Sequence, residues 1–168
     1  LTYEQMLTVK ADPRWEMDKA GFEEQLKVQL KVRDMVTDIH KHIASIRSLR
    51  EQLNRMSGRV DQPALRQSIK DFVDMLTDVE DELIQTKTES HQDPINYPVR
   101  LDTQVGYLFS VAHSQEGRPN NAIYDRLKDL EKEWAEVKNR FDNLVNNRLP
   151  QIEASLKNLN IPLIEIEN

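Results

Sequence analysis

The sequence predicts an all-α fold: an elongated antiparallel bundle of about four helices, the last kinked at Pro150. A short N-terminal β-strand and an extended C-terminal tail complete it. Three observations carry this. First, apolar residues recur in alternating steps of four and three along three segments. One runs Val28, Val32, Met35, Ile39, His42, Ile46, Leu49, Leu53 and Met56. The second runs Leu65, Ile69, Phe72, Leu76, Val79 and Leu83. The third runs Ile123, Leu127, Leu130, Trp134, Val137, Phe141 and Leu144. Such a seam holds one stripe of a long helix against partner helices. Second, there are only 4 glycines in 168 residues, as expected where most of a chain is helix. Third, Val36 and Ile43 widen the first stripe beyond a two-helix seam, so that helix needs at least two neighbours.

The elements follow in order. Residues 1–14 read as a strand and linker, a candidate end of a preceding β domain. Residues 15–168 read as the bundle. From Leu1 to Lys10, Leu1, Tyr3, Leu7 and Val9 alternate with Thr2, Glu4, Thr8 and Lys10, the period of a strand with one buried face. A lone strand is unstable. It needs a partner, either Ile161-Pro162-Leu163-Ile164-Glu165-Ile166 or a preceding domain. Pro13 ends the strand by biasing Asp12 away from helical geometry. Trp15 packs the strand–helix junction. The first helix begins at an Asp18 N-cap and runs to Ser57, with Gly58 as its C-cap.

Asp61 is the expected cap of the second helix, with Pro63 in its first turn. That helix fades between Lys87 and Ser90. The short linker makes the first two helices an antiparallel hairpin. Its symmetry brings Asp78, Glu80 and Asp81 level with His40 and Lys41, with Arg55 and Arg59 near the turn. Pro94 and Pro98 forbid helix and favour an extended crossover. The third helix spans about Val99 to His113, with Leu101, Val105, Leu108 and Ala112 inward. Gly106 lies inside it, where a close helix approach would explain it. A turn at Gly117 and Pro119 leads to the fourth helix. Ile152, Leu156 and Leu159 continue its spacing beyond Pro150.

Composition bounds the function. The chain is 38% hydrophobic with mean hydropathy −0.69, normal for a bundle with broad wet faces. Aromatic residues are 6% of the chain, which argues against a β-sandwich or sugar-binding propeller within these residues. Net charge is −6, which repels nucleic-acid phosphate, so no nucleic-acid partner is expected. No apolar run approaches the roughly 18–20 residues that span a bilayer, so no transmembrane segment is expected. No segment has the order of a signal peptide. Leu1 in place of an initiator Met reads as a processed or excised piece. With no cysteine, disulfides, thiolate metal sites and cysteine nucleophiles are excluded from the chain.

Each signal for chemistry meets a plainer structural reading. His40 and His42 are two apart on a helix, so they point to different faces and cannot chelate one ion. His42 sits on the seam. It reads either as a pH-sensitive or ligand-binding imidazole or as a core histidine satisfied by a polar neighbour. His91 and His113 lie at a loop and a helix end without a motif. Asp71, Asp74, Asp78, Glu80, Asp81 and Glu82 crowd the second helix but lack Glu-x-x-His or calcium-loop spacing, so they read as a solvated face. No nucleophile elbow and no Gly-rich phosphate loop occurs. Trp134 and Phe141 sit at heptad spacing and read as core rather than as a cofactor pocket. No catalytic, cofactor-binding or metal-ligating residue is assigned, and no cofactor is expected.

The order of several short motifs resembles a known family. These are Leu7-Thr8-Val9-Lys10-Ala11-Asp12-Pro13-Arg14, Ile46-Arg47-Ser48-Leu49-Arg50, the stretch from Asp93 to Asp102, and Gly117-Arg118-Pro119. In this order they resemble the C-terminal helical region of secreted microbial proteins with sortilin-type, BNR-repeat propellers, often labelled glycosyl-hydrolase-like. The resemblance implies an extracytoplasmic C-terminal region whose propeller, with any catalytic acids, lies upstream. Three functions are then in play. The chain is a non-catalytic helical accessory or protein-interaction module, whose partners are other domains of the same chain or a second protein. Alternatively it is a self-associating coiled-coil adapter, or a fragment contributing a face to a hydrolase site. The oligomeric state stays open at this point.

Overall fold

The computed structural model describes residues 2–10, 12–14, 17–90, 92–114 and 117–159. Among these the fold is all-α, with helices packed antiparallel. Helix α1 spans Lys19–Ser57, α2 Pro63–Leu83, α3 Leu101–Ser114 and α4 Asn121–Asn143. A π-helical turn at Leu144–Arg148 joins α4 to α5, Leu149–Asn158, which continues the same rod.

Four helical rods fill three columns. The 39 residues of α1 make a rod of roughly 58 Å. Both α2 and α3 run antiparallel to it, stacked one beyond the other. Glu80 of α2 meets Arg47 and Arg50 in the upper half of α1. Asp102 of α3 meets His40, and the Ala112 carbonyl accepts from Gln25 near the lower end. The third column, α4 with α5, runs alongside α1 in the same direction. Arg118 pairs with Asp18 at the start of both, Lys31 with Glu131 and Lys138 with Asp38. The upper end is therefore α1, α2 and α5; the lower end is α1, α3 and the start of α4.

The seams become the core. Val28, Val32, Met35, Ile39, Ile46, Leu49 and Leu53 are buried, as are all six apolar seam residues of α2 and Ile123 through Phe141 of α4. Leu101, Val105, Leu108 and Ala112 face inward from α3. Asp18 caps α1 by accepting from the Gly21 N–H at 2.8 Å, and Asn120 caps α4 by accepting from Ile123 at 3.1 Å. Gly58 ends α1 in a right-handed conformation, so the stop does not depend on glycine's access to positive φ.

Several expectations need correction. Residues 2–10 form no strand, and Tyr3, Leu7 and Val9 are almost fully exposed. No strand edge lies beside them among the described residues, and a period-two pattern without a ladder has nothing to fix it. The suggested partner, Ile161–Ile166, and the Trp15 junction lie outside the described residues. Asp61 does not cap α2. Gln62 holds that position without a side-chain bond, and Pro63 at the start removes one of the orphan donors.

Helix α2 stops at Leu83, where Ile84 is already extended. The Gln85 side chain donates to the Pro98 carbonyl at 3.0 Å and ties the two ends of the crossover. Within that crossover Asp93–Ile95 forms a 3₁₀ turn rather than extended chain. Asp93 organises it by accepting from the Ser90 N–H at 2.7 Å and from the Glu89 N–H. The hairpin register also differs from simple symmetry, since Glu80 lies against Arg47 and Arg50 instead of His40. Val60 is buried beneath the turn, and the Arg66 guanidinium donates to its carbonyl at 2.7 Å.

No neighbour approaches Gly106. A β-carbon there would meet nothing within 4 Å. The tight glycine is Gly21, where a β-carbon would lie 2.8 Å from Met17 Cγ and 3.0 Å from Arg118 Cγ. At the end of the third column, the Leu149 N–H reaches back to the Leu144 carbonyl. Pro150 has no N–H to donate to the carbonyl four residues before it, and its ring crowds that carbonyl. One wider turn absorbs the mismatch.

Candidate functional site

Three places in the bundle hold polar or open features that a plain heptad core would lack. The first surrounds His42, on the inner face of α1. Its Nδ1 lies 2.8 Å from the Asp38 carbonyl oxygen. A carbonyl only accepts, so Nδ1 carries the proton. The ring meets Trp134 edge-on with centroids 4.9 Å apart, and Phe141 at 5.5 Å. The imidazole side chain is 16% exposed, set between two aromatic edges.

Asp38 completes this cluster. It accepts from the Trp134 indole N–H at 3.3 Å and from Lys138 Nζ at 3.0 Å. Lys138 in turn lies 5.7 Å from the centre of the Trp134 ring. Partial burial is the largest single influence on Asp38 and opposes its ionisation. The hydrogen bond and charge of Lys138, the charge His42 carries when protonated and the Trp134 N–H outweigh it together. The carboxyl is thereby held below the usual carboxylate range. The cluster satisfies a buried indole and ties α1 to α4. His40 points elsewhere, toward Asp102 of α3 at 3.7 Å.

The second place is Glu80, which is 2% exposed. Arg47 Nε and Arg50 Nη1 each lie 2.5 Å from one of its oxygens. Arg50 also donates to Thr77 Oγ1 at 3.1 Å. The sequence did carry a signal for its burial. Glu80 lies four residues after Leu76 and three before Leu83, a seam spacing in its own right. The other acids of α2 behave as a surface set: Glu82 pairs with Arg140 and Asp71 accepts from Gln67 at 2.7 Å. Closed by two guanidinium groups, this carboxylate has no open face for substrate. Among the described residues no three His, Asp or Glu side chains converge on a point that could hold a metal ion. Thr37, Ser68, Thr77, Ser110 and Ser155 donate their hydroxyls to carbonyls one turn earlier, a local bond rather than a nucleophile–base pair. His113 stacks on Phe109, while His91 lies outside the described residues.

The third place is a groove of about 500 Å³ between α3 and α4, walled mainly by Val99, Thr103, Tyr107, Leu108, Val111, Ala122 and Ile123. Nothing in the sequence reading singled it out. Its upper end shares Val99 and Gln104 with a polar compartment of about 220 Å³ that holds Glu82, Arg100, Glu133, Glu136 and Arg140. The Arg126 guanidinium donates to Gln104 at the junction. A signal was present in the exposed spacing of Val99, Thr103 and Tyr107. These lie at i, i+4 and i+8, a stripe flanking the buried Leu101, Val105 and Leu108. No helix of the described residues is long and apolar enough to cross a membrane. Comparison with protein-family models, with curated proteins and with solved structures finds no match to this chain.

Proposed function

We infer that this chain is a non-catalytic helical accessory or protein-interaction module. The observation that carries the reading is how the heptad seams are used. The apolar seam residues of α1, α2 and α4 lie buried or nearly so within one bundle, so they are already spent on the chain's own core. A self-associating zipper would need at least one of these seams free. What remains outside is an apolar groove and an exposed apolar stripe, features suited to binding rather than to bond-breaking. The order of motifs that resembles sortilin-type propeller proteins supports a further step, in which the bundle is an accessory region of a larger extracytoplasmic protein.

Sedimentation velocity at several concentrations tests the reading against the adapter. A concentration-independent monomer is expected. Phe141→Asp, which places a charge among buried residues, should abolish helicity by circular dichroism. If helicity survives and only an association is lost, the seam is intermolecular and the module reading is wrong.

A further inference from the structure

We propose that the α3–α4 groove receives an amphipathic helix of a partner protein, one that sets an acidic side chain beside its apolar stripe. This rests on the interaction-module reading and gives it a site and a partner chemistry.

Composition comes first. The walls are Val99, Tyr107, Leu108, Val111, Ala122 and Ile123. Tyr107 is 72% exposed although it lies in the middle of α3. Tyr97 and Ile95 of the adjoining crossover are exposed as well. Exposed apolar surface around a groove marks interaction sites on folded proteins. Tyrosine and arginine are the residues enriched at the energetic centres of protein interfaces.

Shape selects among ligands. The groove is a trough between two antiparallel helices, and the helical stretch from Leu101 to Val111 alone gives it a length of roughly 15 Å. A small ligand lying in a surface trough keeps much of its area in water, whereas small-molecule sites enclose most of theirs. A helix laid along the trough inserts side chains at i, i+4 and i+7 and covers Tyr107 with its flank.

Charge sets its polarity. In the compartment at the upper end, Arg140 pairs with Glu82, Glu133 pairs with Arg126 of the groove, and Glu136 lies 3.9 Å from Lys132. Among the described residues Arg100 has no ion-pair partner, and its buried Nε meets no acceptor. A carboxylate arriving at this half-buried guanidinium would neutralise its charge. An acidic residue at one end of the incoming helix therefore fixes its direction in the groove.

The probe is a synthetic alanine-based helix of about sixteen residues with leucines at i, i+4 and i+7, followed one turn later by Glu. Its twin carries Lys in place of that Glu. Binding to the whole chain is followed by fluorescence anisotropy and by amide chemical shifts. The Glu peptide should bind saturably, move the amides of residues 99–111 and 120–126, and bind better than the Lys peptide. Tyr107→Ala should weaken it about tenfold. Arg100→Gln should weaken it about fivefold and abolish the preference for Glu. Circular dichroism confirms that both variants stay folded, and the exposed Tyr107 keeps the test sound if Arg100→Gln does not. Absence of saturable binding, or equal affinity for the two peptides, overturns the proposal. So does a dimer that Tyr107→Ala dissociates, which would give the groove to a second copy. Shifts confined to Phe22, Leu26 and Leu30 also overturn the groove, yet they leave the module reading standing. That reading fails separately, in the sedimentation and helicity experiment.

Discussion

The upper and lower ends of this bundle are three columns thick and written in the same heptad grammar, yet they finish differently. Above Arg47, among the described residues, Met75 is the one large apolar side chain left exposed on the helices. Phe72, Leu76, Leu49, Leu53 and Leu156 of α5 are all buried in the core. Below His40, the helices expose Phe22, Leu26, Leu30, Tyr107, Phe109 and Tyr124. The upper end has α2, 21 residues long, to cover its rods. The lower end has α3, 14 residues long, which covers the inner stripe and leaves its flanks open. Periodicity thus specifies which residues go inside, while the length of the covering helix decides how much apolar surface stays outside.

The largest expected effects test that difference directly. Phe72 is fully buried at the upper end. Truncation to alanine leaves a cavity that closely packed neighbours cannot fill, so Phe72→Ala should cost about 3–5 kcal/mol. Leu108 is also buried, but it borders the open groove. A site beside open space collapses more readily, so Leu108→Ala should fall near the lower limit of its class, about 2–3 kcal/mol. Urea unfolding of both variants gives the two losses on one scale. Equal losses would erase the distinction between a closed and an open end.

Glu80 is next in size. Glu80→Ala removes the acceptor that two arginines share, and complete burial of such a deficit costs about 3–5 kcal/mol. Arg47 is half exposed and Arg50 about a quarter, so both can turn partly to water. The expected loss is therefore about 1–3 kcal/mol. Glu80→Met restores the lost volume but leaves the same two arginines without an acceptor. It should recover only the packing part of the loss, about 1 kcal/mol. If Met matches the parent in the unfolding midpoint, the two ion pairs add nothing net to the fold.

Glu80 also shows where the sequence stops being legible. The seams, the Asp18 cap, the two prolines that open α2 and α5, and the inward face of α3 all follow from rules acting within a turn or two. Glu80 among the arginines does not, because it depends on the register between two helices. That register differs from the symmetric one, and Val60 is buried in the turn between the two helices. The α3–α4 groove is harder still. The stripe at Val99, Thr103 and Tyr107 marks one wall, but the other wall depends on how α4 packs against α3. The strand expected at Leu1 to Lys10 failed for the same reason in reverse, since a local alternation was visible and its partner was not.

A smaller effect distinguishes the link between the rods from the core around it. Asp38 has its carboxyl held below the ordinary range. A carboxylate with a lowered folded-state value contributes stability that is complete above its unfolded value, near ~3.9. That contribution fades as pH falls through the lowered folded value. Asp38→Asn should therefore cost stability at neutral pH, and the cost should vanish in strong acid. The side chain is more than a third exposed, so screening limits the neutral-pH loss to at most about 1 kcal/mol. Thermal melts at neutral pH and at a series of falling acid pH values measure both. A loss of the same size at each pH would assign the effect to packing against Trp134 and not to charge.

The smallest expected effect is a gain, and it comes from the open end. Gly106 lies inside α3, where glycine is unfavourable by about 0.5–1 kcal/mol against alanine because of the freedom its backbone loses on folding. A glycine in a packed helix is usually explained by a neighbour too close for a methyl group, and at Gly21 the contacts with Met17 and Arg118 supply that reason. Gly106 has no such neighbour within 4 Å. Gly106→Ala should therefore stabilise the chain by that full amount, raising Tm by about 1–4 °C for a domain of this size. Gly21→Ala, in the first turn of α1, should gain little, because its methyl must displace two side chains. If Gly106→Ala lowers Tm instead, something occupies the space above α3. The lower end would then be covered in the folded protein, and the contrast between the two ends would disappear.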